Sequence, residues 1–285
     1  MSDEGAERRN KLTRFRALHD GPGAFVLPNA WDAGTARLLA TLPFAALATT
    51  SAGYAFSAGK RDSCAALTRA EILDNAAAIA AATDLPVSAD LEDGFAVAPE
   101  ECADTIAMAC TVGLVGGTLE DATGNPDAPI YEMGLAVDRV RAAAEVARNK
   151  GFVLTARAEN FLWGCPDLGD TIARLQAFGE AGAEVLYAPG LRDLEQIATV
   201  CRAVDQPVNV VMGLTGPRYG VAQLAEVGVR RISVGGSFAR AALGEMMRAA
   251  HEVLEQGSFG YSERALPVSE IEAAMARNPI GGRTG

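Results

Sequence analysis

Short apolar runs alternate with longer amphipathic stretches along most of the chain. The apolar runs are continuous and four to six residues long, which is typical of parallel strands covered on both faces. Each run leads into a polar turn and then into a stretch with helical periodicity. We predict strands at 24–27, 45–49, 87–90, 115–119, 152–156, 184–188, 207–212 and 231–234.

Eight strands that alternate with helices at a spacing of about 30 residues indicate a (β/α)8 barrel of the TIM type. A doubly wound open sheet is the alternative, but no Gly-x-Gly-x-x-Gly follows the first strand. No linker or low-complexity segment interrupts the pattern. We therefore predict one barrel domain over residues 1–285, with a short N-terminal helical extension and a C-terminal helical tail.

The charge balance limits the classes of partner. The net charge is −11 at pH 7, which argues against a nucleic-acid partner and against an anionic membrane surface. No apolar run reaches the roughly 18 residues of a membrane span, and residues 1–10 lack the apolar core of a signal peptide. We therefore expect a cytoplasmic protein.

Histidine and cysteine are poorly placed for chemistry. His19 lies in the N-terminal segment and His251 in a late helix, so neither follows a predicted strand. The five cysteines are scattered and include no Cys-x-x-Cys pair. A histidine-centred triad and a His-ligated zinc site are excluded. The chemistry must use carboxylates, hydroxyls, backbone amides, arginine or a hard metal.

The acids that follow the third strand are the first candidate site. Four apolar or small residues, 86–89, lead into three carboxylates within four positions, Asp90, Glu92 and Asp93, and Gly94 follows them. Carboxylates at the end of a buried strand are costly unless a cation holds them. Two interpretations are open, a divalent metal site or an acidic turn on the surface.

In a barrel, all strands end at one face, where catalytic groups gather. Several acids follow the predicted strands, and they favour Mg²⁺, with Mn²⁺ as the alternative cation, because hard cations prefer oxygen ligands. Arg157 indicates a carboxylate or phosphate on the substrate. Residues 50–53, predicted as a loop of small residues, offer hydroxyls and open backbone N–H groups to a second carboxylate or an oxyanion.

Five motifs resemble those of the isocitrate lyase / phosphoenolpyruvate mutase superfamily. They lie at 28–32 (Pro-Asn-Ala-Trp-Asp), 49–53 (Thr-Thr-Ser-Ala-Gly) with 59–63 (Gly-Lys-Arg-Asp-Ser), 88–94 (Ser-Ala-Asp-Leu-Glu-Asp-Gly), 117–121 (Gly-Thr-Leu-Glu-Asp) and 155–159 (Thr-Ala-Arg-Ala-Glu). The resemblance implies a barrel whose last helix is exchanged between the subunits of a homodimer or homotetramer. It also implies Mg²⁺ and a small carboxylate or 2-oxo acid substrate, with the metal stabilising an enolate formed when a C–C or P–C bond breaks.

The resemblance also implies roles for individual residues. Its metal-side acids fall on Asp62, Asp90 and Glu120, and Glu92 is a supporting metal ligand. The predicted substrate-binding residues are Trp31, Thr50, Ser51, Ala52, Gly53, Asp90, Arg157, Glu159 and Asn209. The predicted catalytic residues are Asp62, Glu120, Tyr131 and Arg157.

Two departures from the superfamily narrow the chemistry. Ser88 stands where the lyases usually carry the first acid of an Asp-x-Asp pair. The lyases also carry a catalytic cysteine in a loop after the fourth strand, whereas the loop at 121–131 here has no cysteine, lysine or histidine. Isocitrate cleavage with the usual acid is therefore not expected, and Tyr131 or a metal-bound water is the candidate proton donor.

These observations predict a Mg²⁺-dependent lyase or decarboxylase. It would cleave a C–C bond next to the carbonyl or hydroxyl of a small 2-oxo or dicarboxylic acid through an enolate. One alternative is an enzyme of phosphonate P–C bonds, of the phosphoenolpyruvate mutase or phosphonopyruvate hydrolase type. The other is a 2-oxo acid-binding protein with little turnover.

Overall fold

Strands and helices alternate in the computed structural model, which describes residues 3–62, 66–216 and 218–276. The strands are β1 Phe25–Leu27, β2 Asn29–Ala30, β3 Leu47–Thr49, β4 Val87–Asp90, β5 Gly116–Glu120, β6 Val153–Arg157, β7 Val185–Tyr187, β8 Val208–Val211 and β9 Val229–Ser233. The helices are α1 Asp3–Asp20, α2 Ala33–Leu39, α3 Ser51–Ser57, α4 Arg69–Ala81, α5 Pro99–Thr111, α6 Met133–Lys150, α7 Leu168–Glu180, α8 Leu194–Ala203, α9 Val221–Glu226, α10 Ser237–Gln256 and α11 Val268–Met275. A 3-10 turn, Gly260–Arg264, separates α10 from α11.

All the strands are parallel, and together they form a barrel. The order in the sheet is β1-β9-β8-β7-β6-β5-β4-β3-β2. β1 lies within the first predicted strand, 24–27, and β2 continues it beyond the predicted end; the two halves are divided at Pro28, which has no N–H to donate. One half pairs with β9 and the other with β3, so the ring closes through this strand. The predicted TIM-type barrel is confirmed.

Helix α1 closes the end of the barrel where the strands begin. Leu12 and Phe15 are buried against Val115, Val153 and Val185, which lie at or next to the starts of their strands. Arg8 reinforces this closure by donating hydrogen bonds to three backbone carbonyls, those of Leu114, Lys150 and Gly151. The opposite end of the barrel, where the strands finish, is left for a functional site.

A buried polar network fills the middle of the barrel. Arg231 Nε donates to Asn209 Oδ1 at 2.8 Å, and its Nη2 donates to Thr155 Oγ1 at 2.9 Å. His19 Nε2 lies 3.4 Å from Arg231 Nη1. Burial, and then the charge of Arg231, lowers the pKa of His19 to about 3, so this histidine is neutral. His19 and Arg231 therefore have structural roles inside the barrel.

Residues 50–53, predicted as a loop, instead form the start of a helix. Thr50 is the N-cap of α3, and its Oγ1 accepts a hydrogen bond from Gly53 N at 3.3 Å, a contact typical of threonine at this position. Glycine is needed at 53 because a Cβ there would lie 2.7 Å from Thr50 Cγ2 and 2.9 Å from Trp31 Cβ. The helix N-terminus therefore sits directly at the end of β3.

Helix α10 has an exposed apolar face. Leu243, Met246, Met247 and Leu254 are all exposed, Leu254 by 82%. Patches of this kind usually mark interaction surfaces. Within the described ranges, no helix is both long enough and apolar enough to cross a membrane.

Candidate active site

A cavity of about 310 Å³ opens at the strand ends. Nine of the predicted site residues line it: Thr50, Ser51, Ala52, Asp62, Asp90, Glu92, Glu120, Arg157 and Glu159. Strand register explains part of this convergence. Glu120 on β5 is level with Arg157 on β6, which is level with Tyr187 on β7, so their side chains meet at one height of the barrel.

Arg157 lies at the centre of the cavity and binds three carboxylates. Its Nε is 2.7 Å from Glu159 Oε1, its Nη1 is 3.2 Å from Asp90 Oδ1, and its Nη2 is 3.1 Å from Glu120 Oε2. Burial alone would lower the pKa of Arg157, but these acids outweigh burial and raise the pKa well above its usual value. The guanidinium is therefore permanently charged, and each of its three nitrogens faces a carboxylate of the protein.

Asp90 connects this cation to the start of α3. Its Oδ2 accepts hydrogen bonds from Ser51 N at 3.2 Å and Ser51 Oγ at 2.8 Å. Its Oδ1 also accepts from Thr118 Oγ1 at 3.3 Å. The Ser51 amide that was predicted to bind a substrate carboxylate thus binds a carboxylate of the protein itself. This contact shows that the amide can hold such a group.

The surroundings of Glu92 and Glu120 disfavour the charged form of each carboxyl group. Burial, followed by the charges of Asp90, Asp93 and Asp62, raises the pKa of Glu92 to about 8. Burial also raises the pKa of Glu120 well above its usual value, although Arg157 opposes the shift. Strongly shifted carboxyl groups in a cleft are typical of functional sites.

The loop that presents Glu92 has an unusual backbone. Glu92 and Phe95 adopt positive φ values of 47° and 61°, which are uncommon for residues other than glycine. Gly94, with φ of 79°, packs so closely that a Cβ would lie 2.8 Å from Leu119 Cδ1. Asp93 does not line the cavity, and its Oδ1 accepts a hydrogen bond from Phe95 N at 2.9 Å. Of these two adjacent acids, only Glu92 reaches the site.

The donor set of the cavity suits a hard divalent cation. Five carboxylates line it, those of Asp62, Asp90, Glu92, Glu120 and Glu159, whereas Arg157 is the one cationic side chain among its lining residues in the described chain. Across those same ranges, no three acidic, histidine or cysteine side chains form a ready-made metal site. Mg²⁺ typically uses one or two carboxylates and several waters, and the number of carboxylate oxygens at this cavity fits that mode of binding.

Four predicted site residues lie outside the cavity lining. Trp31 and Gly53 pack together behind the first turn of α3. Asn209 is 1% exposed and hydrogen-bonds Arg231 and Ser233 inside the barrel, although the strand register pairs it with Tyr187. Tyr131 is buried, with the Arg139 guanidinium 4.0 Å from its ring centroid. None of these four residues therefore borders this cavity.

The loop after β5 folds on itself. Ala122 and Ile130 form an isolated antiparallel bridge, and Tyr131 N donates to Asp121 O at 2.7 Å. None of the residues 122–131 lines the cavity. In the lyases that the motifs resemble, this loop carries the catalytic cysteine. In this protein the loop contributes no residue to the cavity, so the proton donor must come from another element.

Other lining residues were not predicted as site residues: Leu162, Trp163, Tyr187, Pro189, Val211, Leu214, Gly235 and Gly236. Tyr187 is the most relevant chemically, since its ring centroid lies 5.1 Å from the Arg157 guanidinium carbon. Burial raises the pKa of the Tyr187 hydroxyl, although Arg157 partly offsets the shift. The position of Tyr187 at a strand end could have identified it as a site residue from the sequence. The apolar lining residues have no such feature in the sequence.

A second ion-pair network supports the loop after β6. Asp121 Oδ1 accepts from Glu159 N at 2.8 Å, and Asp121 Oδ2 pairs with Arg174 Nη1 at 3.0 Å. Arg174 Nε also pairs with Asp170 Oδ2 at 2.7 Å. These contacts fix the backbone of Glu159 and, through it, one of the three carboxylates that hold Arg157.

Comparison with known proteins assigns the family. The family model described as phosphoenolpyruvate phosphomutase matches residues 15–254. A solved structure from Burkholderia cenocepacia J2315, provisionally assigned as a lyase/mutase, is 52% identical with a TM-score of 0.93, and the match covers 96% of this chain and 98% of that one. An uncharacterized protein of Mycobacterium tuberculosis is 32% identical over 92% of this chain and 95% of its own length. Oxaloacetate decarboxylase of Pseudomonas savastanoi pv. phaseolicola is 25% identical over 79% of this chain and 78% of its own. The chain therefore belongs to the phosphoenolpyruvate phosphomutase family, within the isocitrate lyase / phosphoenolpyruvate mutase superfamily of lyases and mutases that its motifs predicted.

Proposed function

We propose that the protein is a Mg²⁺-dependent lyase or decarboxylase that cleaves a C–C bond of a small 2-oxo or dicarboxylic acid through an enolate. The observation that carries this proposal is the cavity in which Arg157 and the Ser51 amide converge on Asp90. These two donors would bind an anion of the substrate once the Asp90 carboxylate turns from them to the cation. The surrounding acids provide oxygen ligands for a cation.

The residues of the cavity divide between the substrate and the metal. Arg157 and the Ser51 amide would bind the substrate carboxylate, and Thr50 and Ala52 complete the first turn of the helix beside it. Asp90 and Glu120 would hold the cation, with Asp62 and Glu92 acting directly or through water. Mg²⁺ or Mn²⁺, when bound, supplies positive charge to the developing enolate oxygen.

Tyr187 is the proposed proton donor. Its ring lies at the cavity wall beside Arg157, and a tyrosine hydroxyl carries a proton at neutral pH. Tyr131, the donor suggested by the sequence, packs against Arg139 instead. A positioned donor of this kind typically contributes a factor of about 10²–10⁴ to the rate.

A panel of substrates tests the reaction. Oxaloacetate, 2-alkylmalates and phosphonopyruvate would be incubated with the protein and Mg²⁺, and 2-oxo acid products would be measured by NMR. We expect release from a C–C substrate, and loss of that release with Arg157→Lys but not with Arg202→Lys, which changes an exposed arginine of α8. If no C–C substrate is cleaved and none binds with Mg²⁺, the proposal is wrong.

Phosphonate chemistry is the second candidate. The matching family model is that of a phosphomutase, and a guanidinium binds a phosphonate as readily as a carboxylate. Release of pyruvate or phosphoenolpyruvate from phosphonopyruvate alone would favour it. Binding of these acids without any product would indicate a binding protein instead.

Assembly into a homodimer or homotetramer is also proposed. The exposed apolar face of α10, formed by Leu243, Met246, Met247 and Leu254, supports it, because a second copy would cover this surface. Light scattering should give a mass of two or four chains. Met246→Glu should reduce that mass, while Glu252→Gln on the same helix should not; a monomer in the wild type would exclude this assembly.

A further inference from the structure

A second cavity of about 450 Å³ adjoins the candidate active site. Leu162, Val211 and Leu214 line both cavities, and we call these three side chains the apolar neck. The two cavities therefore share part of a wall, and a molecule long enough to pass these side chains would reach from one cavity into the other.

The charge of the second cavity is opposite to that of the first. Arg192 and Arg240 line it, and no acidic residue does. The chain as a whole has 36 acidic residues and 25 lysines and arginines. A wall with two arginines and no acid is therefore more positive than the protein as a whole. Both arginines are exposed, and within the described ranges neither guanidinium has an ion-pair or hydrogen-bond partner. Their donors are therefore available to a ligand.

Close backbone packing brings the two arginines to this position. Gly213, with φ of 85°, lies so near the first turn of α10 that a Cβ would be 2.8 Å from Ser237 Oγ, and Arg240 follows one turn later on that helix. Gly190, with φ of 87°, packs on the loop that carries Leu162, where a Cβ would be 3.1 Å from Leu162 Cδ2. Arg192 is two residues further along the chain.

We propose that the second cavity binds a carboxylate at the far end of the substrate. The substrate class is then a 2-oxo or 2-hydroxy dicarboxylic acid with an aliphatic chain between its two ends. This inference rests on the proposed function, which places the reacting end beside Arg157. The chain would lie along the apolar neck, and the distal carboxylate would meet Arg192 and Arg240. A molecule as short as oxaloacetate would fill the first cavity and leave the second one empty.

Calorimetric binding with Mg²⁺ present tests this assignment without requiring turnover. The ligands are 2-oxo diacids of increasing length, from oxaloacetate to 2-oxosuberate, each with the 2-oxo monoacid of the same length, and oxalate. We expect long diacids to bind the wild type more tightly than their monoacids. Arg192→Gln and Arg240→Gln should each weaken the long diacids by about fivefold, as for solvent-screened ion pairs. Oxalate and the monoacids should bind both variants as they bind the wild type.

Arg202→Gln is the matched control. It removes one exposed positive charge from the last turn of α8, at the end of the barrel opposite to the cavities. Equal affinity for diacids and monoacids, or an equal loss with Arg202→Gln, would overturn the role of the second cavity even if oxalate binds. Failure of oxalate to bind the wild type would instead count against the proposed function, so the two failures are distinguishable.

Discussion

Replacing Glu92 with glutamine is expected to stabilise the protein at alkaline pH. Burial, and then Asp90, Asp93 and Asp62, raise the pKa of Glu92 from 4.5 to about 8. Between those pH values the folded state holds a proton that the unfolded chain has released. Stability is therefore lost as the pH rises through this window, because the unfolded state binds fewer protons than the folded state.

The size of the effect follows from the shift. Each pKa unit corresponds to about 1.4 kcal/mol, so ionised Glu92 destabilises the folded state by about 3–5 kcal/mol above its folded pKa. Glutamine has nearly the same size and carries no charge. At about 2 °C for each kcal/mol in a chain of this length, the melting temperature of Glu92→Gln should exceed that of the wild type by about 5–10 °C at alkaline pH.

Thermal unfolding followed by circular dichroism, in EDTA and over a series of pH values, measures this difference. The two proteins should have similar melting temperatures near pH 4.5, the usual pKa of glutamate, and should diverge as the pH rises. Glu180→Gln is the control, since Glu180 is an exposed acid at the end of α7. A constant difference at every pH, or no gain at alkaline pH, would show that Glu92 is not held in an unfavourable charged environment.

Three further predictions concern the catalytic arginine, the proton donor and the closed end of the barrel. Arg157→Lys should lower kcat/KM by about 100-fold in product-release assays, because lysine cannot replace the guanidinium fork; full activity would rule out the assigned contact. Tyr187→Phe should lower kcat by a factor of about 10²–10⁴ with little change in KM. Tyr131→Phe should lower kcat much less. A larger loss of kcat with Tyr131→Phe than with Tyr187→Phe would instead indicate that Tyr131 is the proton donor. Phe15→Ala should reduce the free energy of unfolding by about 3–5 kcal/mol in urea titrations and leave substrate affinity unchanged; a large change in affinity would mean that α1 acts on the site.

The barrel could be predicted because the period of its hydrophobic pattern is a local property of the chain. The eight apolar runs gave the strands, and their ends gave Asp90, Glu120 and Arg157, which line the cavity. Pro28 divides the first strand without opening the barrel. That could be seen only from the structure, in which one half of the strand pairs with β9 and the other with β3. The helix at 51–57 was missed because its small residues resemble a loop.

The sequence did not show whether a residue at a strand end borders the cavity or the buried polar network. Asn209 belongs to a strand, like Arg157, but it lies in the buried layer with Arg231. Tyr131 and Tyr187 both lie near strand ends, yet only Tyr187 lines the cavity, because the loop that ends at Tyr131 folds back on itself. The contact between Ser51 and Asp90 joins residues 39 positions apart, and no local pattern reports it.

Hydrogen exchange at the carbon next to a 2-oxo group tests the central claim most directly, because an enolate exchanges that proton whatever the full substrate is. Pyruvate and longer 2-oxo acids would be incubated with the protein and Mg²⁺ in D₂O and followed by proton NMR. Enolate chemistry at this cavity predicts deuterium incorporation faster than in buffer for at least one acid, abolished by EDTA and by Arg157→Lys. Incorporation at the buffer rate for every acid that binds would contradict it.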